Sequence, residues 1–180
     1  MSININFIPV NIAIVTISDT RVLDNDKSGD VLEERILKSK HNIISRDIVK
    51  DNFDEIYTQF SNLINNEKID AIISTGGTGL TGRDTTPEVM QTLFEKTIDG
   101  FGEMFRWLSY SKIGTSSLQS RAIAGVSNGT YIFCLPGSPS ACRDGWDQIL
   151  IHQLDIRHKP CNFVEIMPRL KEHKFSRTKN

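Results

Sequence analysis

Between Ala71 and Glu88 the chain reads A-I-I-S-T-G-G-T-G-L-T-G-R-D-T-T-P-E, residue types that suit phosphate chemistry. The apolar run Ala71, Ile72 and Ile73 reads as a buried strand ending at a loop with Gly76, Gly77, Gly79 and Gly82. A helix is expected from Pro87, because proline favours the first helical position and Thr86 before it can cap. Strand, glycine loop and helix start together make an anion cradle. Glycines let backbone N–H groups approach phosphate oxygens, and a helix N-terminus adds about half a positive charge. Asp84 lies inside this cradle, where a bare carboxylate would repel phosphate. A bridging cation such as Mg²⁺ removes that conflict. With no ligand, the same stretch is a glycine-rich turn in which Asp84 closes or caps the chain before Pro87.

Two other patterns bear on the chemistry. Asp51 in V-K-D-N lies just before an expected helix, where it could cap that helix or hold a cation. The run L-P-G-S-P-S, from Leu135 to Ser140, repeats the cap-and-proline arrangement, with Ser138 as cap and Pro139 opening a helix. Gly77-x-Gly79-x-x-Gly82 also fits the dinucleotide-binding pattern by letter. That motif, however, follows the first strand of its unit and places its third glycine inside the helix. Here Pro87 delays the helix, and strands precede. No Gly-Lys-Ser/Thr follows, so a P-loop is excluded. There is no G-x-S-x-G elbow, and His41, His152, His158 and His173 fall outside the loops in question.

The elements that must hold these residues can be read from periodicity. Asn11 to Ser18 is mostly β-branched and apolar, as in a central parallel strand. A helix is expected from about Ser28 to Lys40 with Val31, Leu32, Ile36 and Leu37 as apolar members, then a strand over Ile43 to Val49. Phe53, Ile56, Tyr57, Phe60, Leu63 and Ile64 recur at helical spacing before the strand at Ala71 to Ser74. This βαβαβ order predicts a three-layer α/β/α fold with a mostly parallel sheet. A helix from about Gly100 carries Phe101, Met104, Phe105 and Leu108 on one face, leaving Trp107 and Tyr110 as aromatic surface. Ala122 to Val126 and Thr130 to Leu135 flank Asn128-Gly129, a strong hairpin signal, so the sheet should be mixed. The last helix turns Cys142, Trp146, Ile149, Leu150 and Leu154 inward. In such a sheet ligands sit beyond the carboxyl ends of the strands, which gathers Ser18-Asp19-Thr20, Lys50-Asp51-Asn52, Thr75 to Thr86 and Pro136 to Ser140 at one edge. Two anion sites with acids between them suit a metal-assisted phosphate reaction.

Composition narrows the class. At 180 residues the chain suits one domain, expected over 11–158, with an extension at 1–10 and a basic tail at 159–180. Residues 157–180 hold seven Lys/Arg against two Asp/Glu, a composition typical of a solvated terminus. Overall, 21 basic residues nearly balance 22 acidic ones, so no strong field for nucleic acid exists. No signal peptide or membrane-spanning run is visible. Cys134, Cys142 and Cys161 lack C-x-x-C spacing and read as reduced thiols of a cytoplasmic protein.

The chain resembles the MoaB/Mog group of molybdenum cofactor biosynthesis proteins. The matching segments are V-T-I-S-D-T with D-K-S-G after it, S-T-G-G-T-G-L-T-G-R-D-T-T-P-E, I-D-G-F-G-E-M-F-R, I-G-T-S-S-L-Q-S-R-A-I-A-G and L-P-G-S-P-S-A-C-R. The G-T-S-x-L-Q-S-R-A stretch is most similar to the MoaB branch. The resemblance implies a molybdopterin-binding-domain fold and adenylylation of molybdopterin by Mg-ATP, releasing pyrophosphate. The alternative is a carrier that binds the pterin without chemistry. By position the resemblance makes Asp51 and Asp84 the catalytic and metal-binding pair. It assigns Thr75, Gly76, Gly77, Thr78, Gly79, Arg83 and Thr86 to nucleotide and phosphate, and Ser18, Ser116, Gly137 and Ser138 to the pterin. Implied partners are molybdopterin, ATP, further copies of the chain in a trimer or hexamer, and a molybdate-insertion protein.

Overall fold

The structure, a computed structural model, describes residues 5–175. Six strands form one sheet: β1 (Asn11–Ile17), β2 (Asn42–Val49), β3 (Ala71–Thr75), β4 (Lys96–Thr97), β5 (Ile123–Ser127) and β6 (Thr130–Leu135), in the order β2-β1-β3-β6-β5-β4. β2, β1, β3 and β6 run parallel, and β5 and β4 join antiparallel, so the mixed sheet expected from Asn128-Gly129 is present. Asn128 and Gly129 both take positive φ, 46° and 80°, which matches the twist of a tight hairpin.

The apolar run of β1 is continuous because both sheet faces are covered. Ile12 and Ile14 enter one core with Leu32, Ile36, Phe133 and Trp146, while Ala13 and Val15 enter the other with Ile56, Phe60 and Ile72. Trp146 is fully buried and meets His41 edge-on at 5.9 Å. His41 Nδ1 accepts from the Val10 N–H at 3.1 Å. The helices on the two faces are α1 (Lys27–Lys38), α2 (Phe53–Ile64), α3 (Thr86–Leu93), α4 (Asp99–Ile113) and α5 (Pro139–Gly145). A 3-10 segment, Gly114–Gln119, follows α4, and a π turn, Trp146–Leu150, joins α5 to α6 (Ile151–Gln153).

Several expectations change in detail. Asn52, not Asp51, caps α2, accepting from the N–H groups of Asp54 at 3.0 Å and Glu55 at 3.2 Å. Thr86 is already helical, and its hydroxyl donates back to the Gly76 carbonyl at 3.2 Å instead of capping. Leu37, Phe53, Tyr57 and Met104 are exposed, because helical spacing fixes the helix but overstates the width of its buried face. The short edge strand β4 had no pattern of its own; Glu95 and Ile98 on either side donate to Val126 and Ala124 at 2.8 Å each.

Both ends of the described residues pack onto the domain. Phe7 lies against His41 with the Arg157 guanidinium over its ring. Residues 159–175, expected to be a solvated tail, carry α7 (Phe163–Ile166) and α8 (Glu172–Phe175). Buried Asn162 donates to the carbonyls of His158 at 3.0 Å and Ile156 at 3.2 Å and caps α7, accepting from Glu165 N–H at 2.8 Å. Phe163 packs on Tyr131 and Phe133, and the Tyr131 hydroxyl donates to its carbonyl at 3.0 Å. The end of the basic tail, residues 176–180, lies outside the described residues. Among the described residues no helix is long and apolar enough to cross a membrane.

Candidate functional site

The loops beyond β1, β2, β3 and β6 surround a cavity of about 580 Å³. One wall is Ser18, Asp19, Asp51, Gly76, Gly77, Thr78, Gly79 and Asp84; the opposite one is Pro136, Gly137, Ser138, Ser140 and Ala141. α4 and its 3-10 extension close the third side with Phe105, Ser109, Lys112, Ser116 and Gln119. Among the described residues no histidine lines it.

At two positions of the glycine loop, Gly76 and Gly77, only glycine fits. Gly76 has φ +105°, and a Cβ there would lie 2.1 Å from the Ile17 carbonyl oxygen. Gly77 has φ +63°, and its Cβ would meet Thr86 Oγ1 at 2.2 Å and Asp51 Oδ1 at 3.1 Å. Asp51 thus lies directly against the loop. Its Oδ1 accepts from the Thr85 N–H at 3.4 Å, and its own N–H donates to Asp19 Oδ1 at 3.2 Å. Asp84 is held from the opposite end of the loop. Its Oδ2 accepts from the Thr81 N–H at 2.9 Å and the Thr81 hydroxyl at 2.6 Å.

These surroundings act on the two carboxylates in opposite senses. Burial raises the Asp51 carboxyl above its ordinary range, and the charges of Asp84 and Asp19 add to this against the Thr85 N–H and Arg83. For Asp84 burial also pushes upward, but hydrogen bonds from Thr81 and Gly79 and the charge of Arg121 outweigh it, and the carboxyl lies below its ordinary range.

Of the expected site residues, Ser18, Asp51, Gly76, Gly77, Thr78, Gly79, Asp84, Ser116, Gly137 and Ser138 share this cavity. Three do not line it. Thr75 is buried; its hydroxyl donates to the Pro136 carbonyl at 2.9 Å and accepts from the Cys142 thiol at 3.1 Å, tying the two loops together. Thr86 is spent on Gly76, as above. Arg83 turns outward and forks onto Asp19, its Nη2 2.8 Å from both carboxylate oxygens. Ser138 caps α5 as expected, accepting from the Ala141 N–H at 3.1 Å.

The α4 wall has no motif of its own in the sequence: Phe105, Ser109 and Lys112 share one face at helical spacing, but the apolar pattern of α4 marks only Phe105. Lys112 pairs with Asp144 of α5, and both side chains line the cavity. Among the described residues no three metal-ligating side chains cluster. Two carboxylates facing a glycine loop fit a Mg²⁺ that arrives on phosphate oxygens, since this ion takes one or two carboxylates and completes its shell with phosphate and water.

A family model described as "Probable molybdopterin binding domain" matches residues 13–156. The chain is 46% identical over 161 residues to molybdenum cofactor biosynthesis protein B of Escherichia coli K12, covering 89% of this chain and 95% of that one. With the protein of the same name from Bacillus subtilis it shares 38% identity over 146 residues, 81% and 86% of the two chains. A crystal structure of molybdenum cofactor biosynthesis protein B superposes with a TM-score of 0.82 at 36% identity, covering 91% and 97%. The tungsten cofactor synthesizing protein MoaB of Pyrococcus furiosus superposes with a TM-score of 0.71 at 33% identity, covering 79% and 91%.

Proposed function

The chain belongs to the molybdopterin-binding domain family of molybdenum cofactor biosynthesis proteins, and from that membership we propose that its cavity adenylylates molybdopterin with Mg-ATP. The observation that carries the proposal is the convergence of Asp51 and Asp84 on the Gly76–Gly79 loop, with Gly137 and Ser138 on the opposite wall of the same cavity. In the reaction the terminal phosphate oxygen of the pterin attacks the α-phosphorus of ATP, and the bond to the β-phosphate oxygen breaks. Adenylyl-molybdopterin and pyrophosphate result. The protein's task is positioning and charge neutralisation. Backbone N–H groups of Gly77 and Thr78 take the triphosphate, while Ser138, Gly137, Ser18 and Ser116 hold the pterin side. Mg²⁺ entering on the nucleotide would be held by Asp51 and Asp84 and would supply positive charge to the phosphates. Arg83 is placed to exchange Asp19 for phosphate oxygens at the rim. A cytoplasmic homo-oligomer, trimer or hexamer, that passes its product to a molybdate-insertion protein completes the reading.

A second reading has one observation in its favour. Asp84 Oδ2 is already engaged by Thr81, so this carboxylate has a structural task that a pterin carrier without chemistry would also need. Pyrophosphate release from molybdopterin and Mg-ATP separates the two. Turnover by the parent, with Asp51→Asn and Asp84→Asn each reduced about 10²–10³-fold, is the expected result. Pterin binding with no pyrophosphate would select the carrier.

A further inference from the structure

Arg121 lies just ahead of β5, outside the loops singled out above and outside the cavity wall. Its guanidinium nevertheless reaches the glycine loop from behind. Nε donates to the Gly79 carbonyl at 2.8 Å and Nη2 to the Asp84 carbonyl at 2.9 Å, while Nη1 pairs with the Glu88 carboxylate on α3. One planar cation therefore spans the loop from Gly79 to the helix that follows. Between these points Arg83 is tied to Asp19 and Thr81 to the Asp84 side chain, while Leu80 is exposed and the space around Gly82 is open. A guanidinium offers five N–H donors in a rigid fork, whereas lysine offers a point charge on a flexible stem. Only arginine can serve two carbonyls and a carboxylate in this arrangement.

We propose that Arg121 is a positioning residue that clamps the Gly79–Asp84 loop and so fixes where Asp84 faces the cavity. The inference rests on the functional reading of Asp84 given above. The fork holds the loop backbone at Gly79 and Asp84, and inside it the Thr81 N–H donates to the Asp84 carboxylate and the Asp84 N–H to the Thr81 carbonyl. The experiment follows the loop and the chemistry separately. Amide hydrogen exchange across residues 79–84 is measured in the full-length parent, Arg121→Gln and Arg121→Lys, and pyrophosphate release is followed in parallel. In both variants exchange at the Thr81 and Asp84 amides rises about tenfold, and kcat falls about 10–100-fold while KM for ATP changes less. Arg121→Lys keeps the charge without the fork, so it does not restore either readout. Unchanged loop exchange in Arg121→Gln, or parental turnover in Arg121→Lys, overturns the proposal. If the parent releases no pyrophosphate, the adenylyltransferase reading fails, and loop exchange in Arg121→Gln alone decides the clamp.

Discussion

Asp51 and Asp84 border one cavity, but folding treats their charges differently, and this separates their effects on stability. Burial beside Asp84 and Asp19 raises the Asp51 carboxyl, so the stability it contributes is present when it is protonated and is lost as pH rises through its raised value. Asp51→Asn should therefore melt at or above the parent temperature at neutral pH, with the difference closing as pH falls toward 3.8, the ordinary carboxylate value. Asp84 behaves in the reverse sense. Its lowered carboxyl contributes stability above 3.8 that is lost as pH falls through its folded value. Asp84→Asn should cost about 1 kcal/mol at neutral pH through weakened Thr81 hydrogen bonds, and the cost should vanish in acid. Thermal melts of both variants from pH 7 to pH 3 check the pair of signs; equal behaviour of the two would remove the electrostatic distinction. Asn52 makes the Asp51 arm clean, because the helix cap lies on the neighbouring residue.

At the scale of elements, the site depends on how β3 runs into its loop. Gly76 stands where the chain leaves the sheet, donating its N–H to the Leu135 carbonyl at 3.0 Å with its α-carbon facing the Ile17 backbone. Gly76→Ala should destabilise by about 1–3 kcal/mol from the backbone conformation alone, with a further loss from the contact to Ile17. Denaturant unfolding measures it, and a change within a few tenths of a kcal/mol would refute the strained geometry. The same loop shows what a sequence reveals. The strands β1, β2, β3 and β6, the helix α2, and the hairpin at Asn128-Gly129 each carry a periodic or turn signal strong enough to read directly. So do the loops they bring to one edge, because a parallel sheet places them there. Contacts between elements are not visible in this way. Nothing local marks Arg121 as a partner of Gly79, or Asn162 as the buried polar anchor of a basic segment. Thr86 looks like a cap by position, and only the folded loop supplies the Gly76 carbonyl it prefers. The α4 wall was hidden for a related reason: Ser109 and Lys112 are polar, and apolar spacing alone cannot say that a helix face borders a cavity.

For the whole molecule the main feature is a band of exposed side chains on α4 and the segment after it. Trp107 is 74% exposed and Leu118 78%, with Met104, Tyr110 and Ile113 nearby in sequence and also exposed. Trp107 therefore does not cover a loop of its own subunit. An apolar surface of this kind on a single chain suits a contact between copies. Light scattering on dilute protein should give a multiple of the 20.3 kDa chain, and Trp107→Ala should shift the population toward smaller species. A parent that runs as a monomer would defeat the assembly. The two tryptophans also give the chain two distinct optical reporters. Trp146 is sealed in the core with its edge toward His41, so its fluorescence should lie to the blue and move red only when the core opens. Trp107 begins in water and should emit to the red, moving blue when another surface covers it. Dilution and denaturant then alter opposite ends of one emission spectrum, and dissociation can be followed apart from unfolding without attaching a dye.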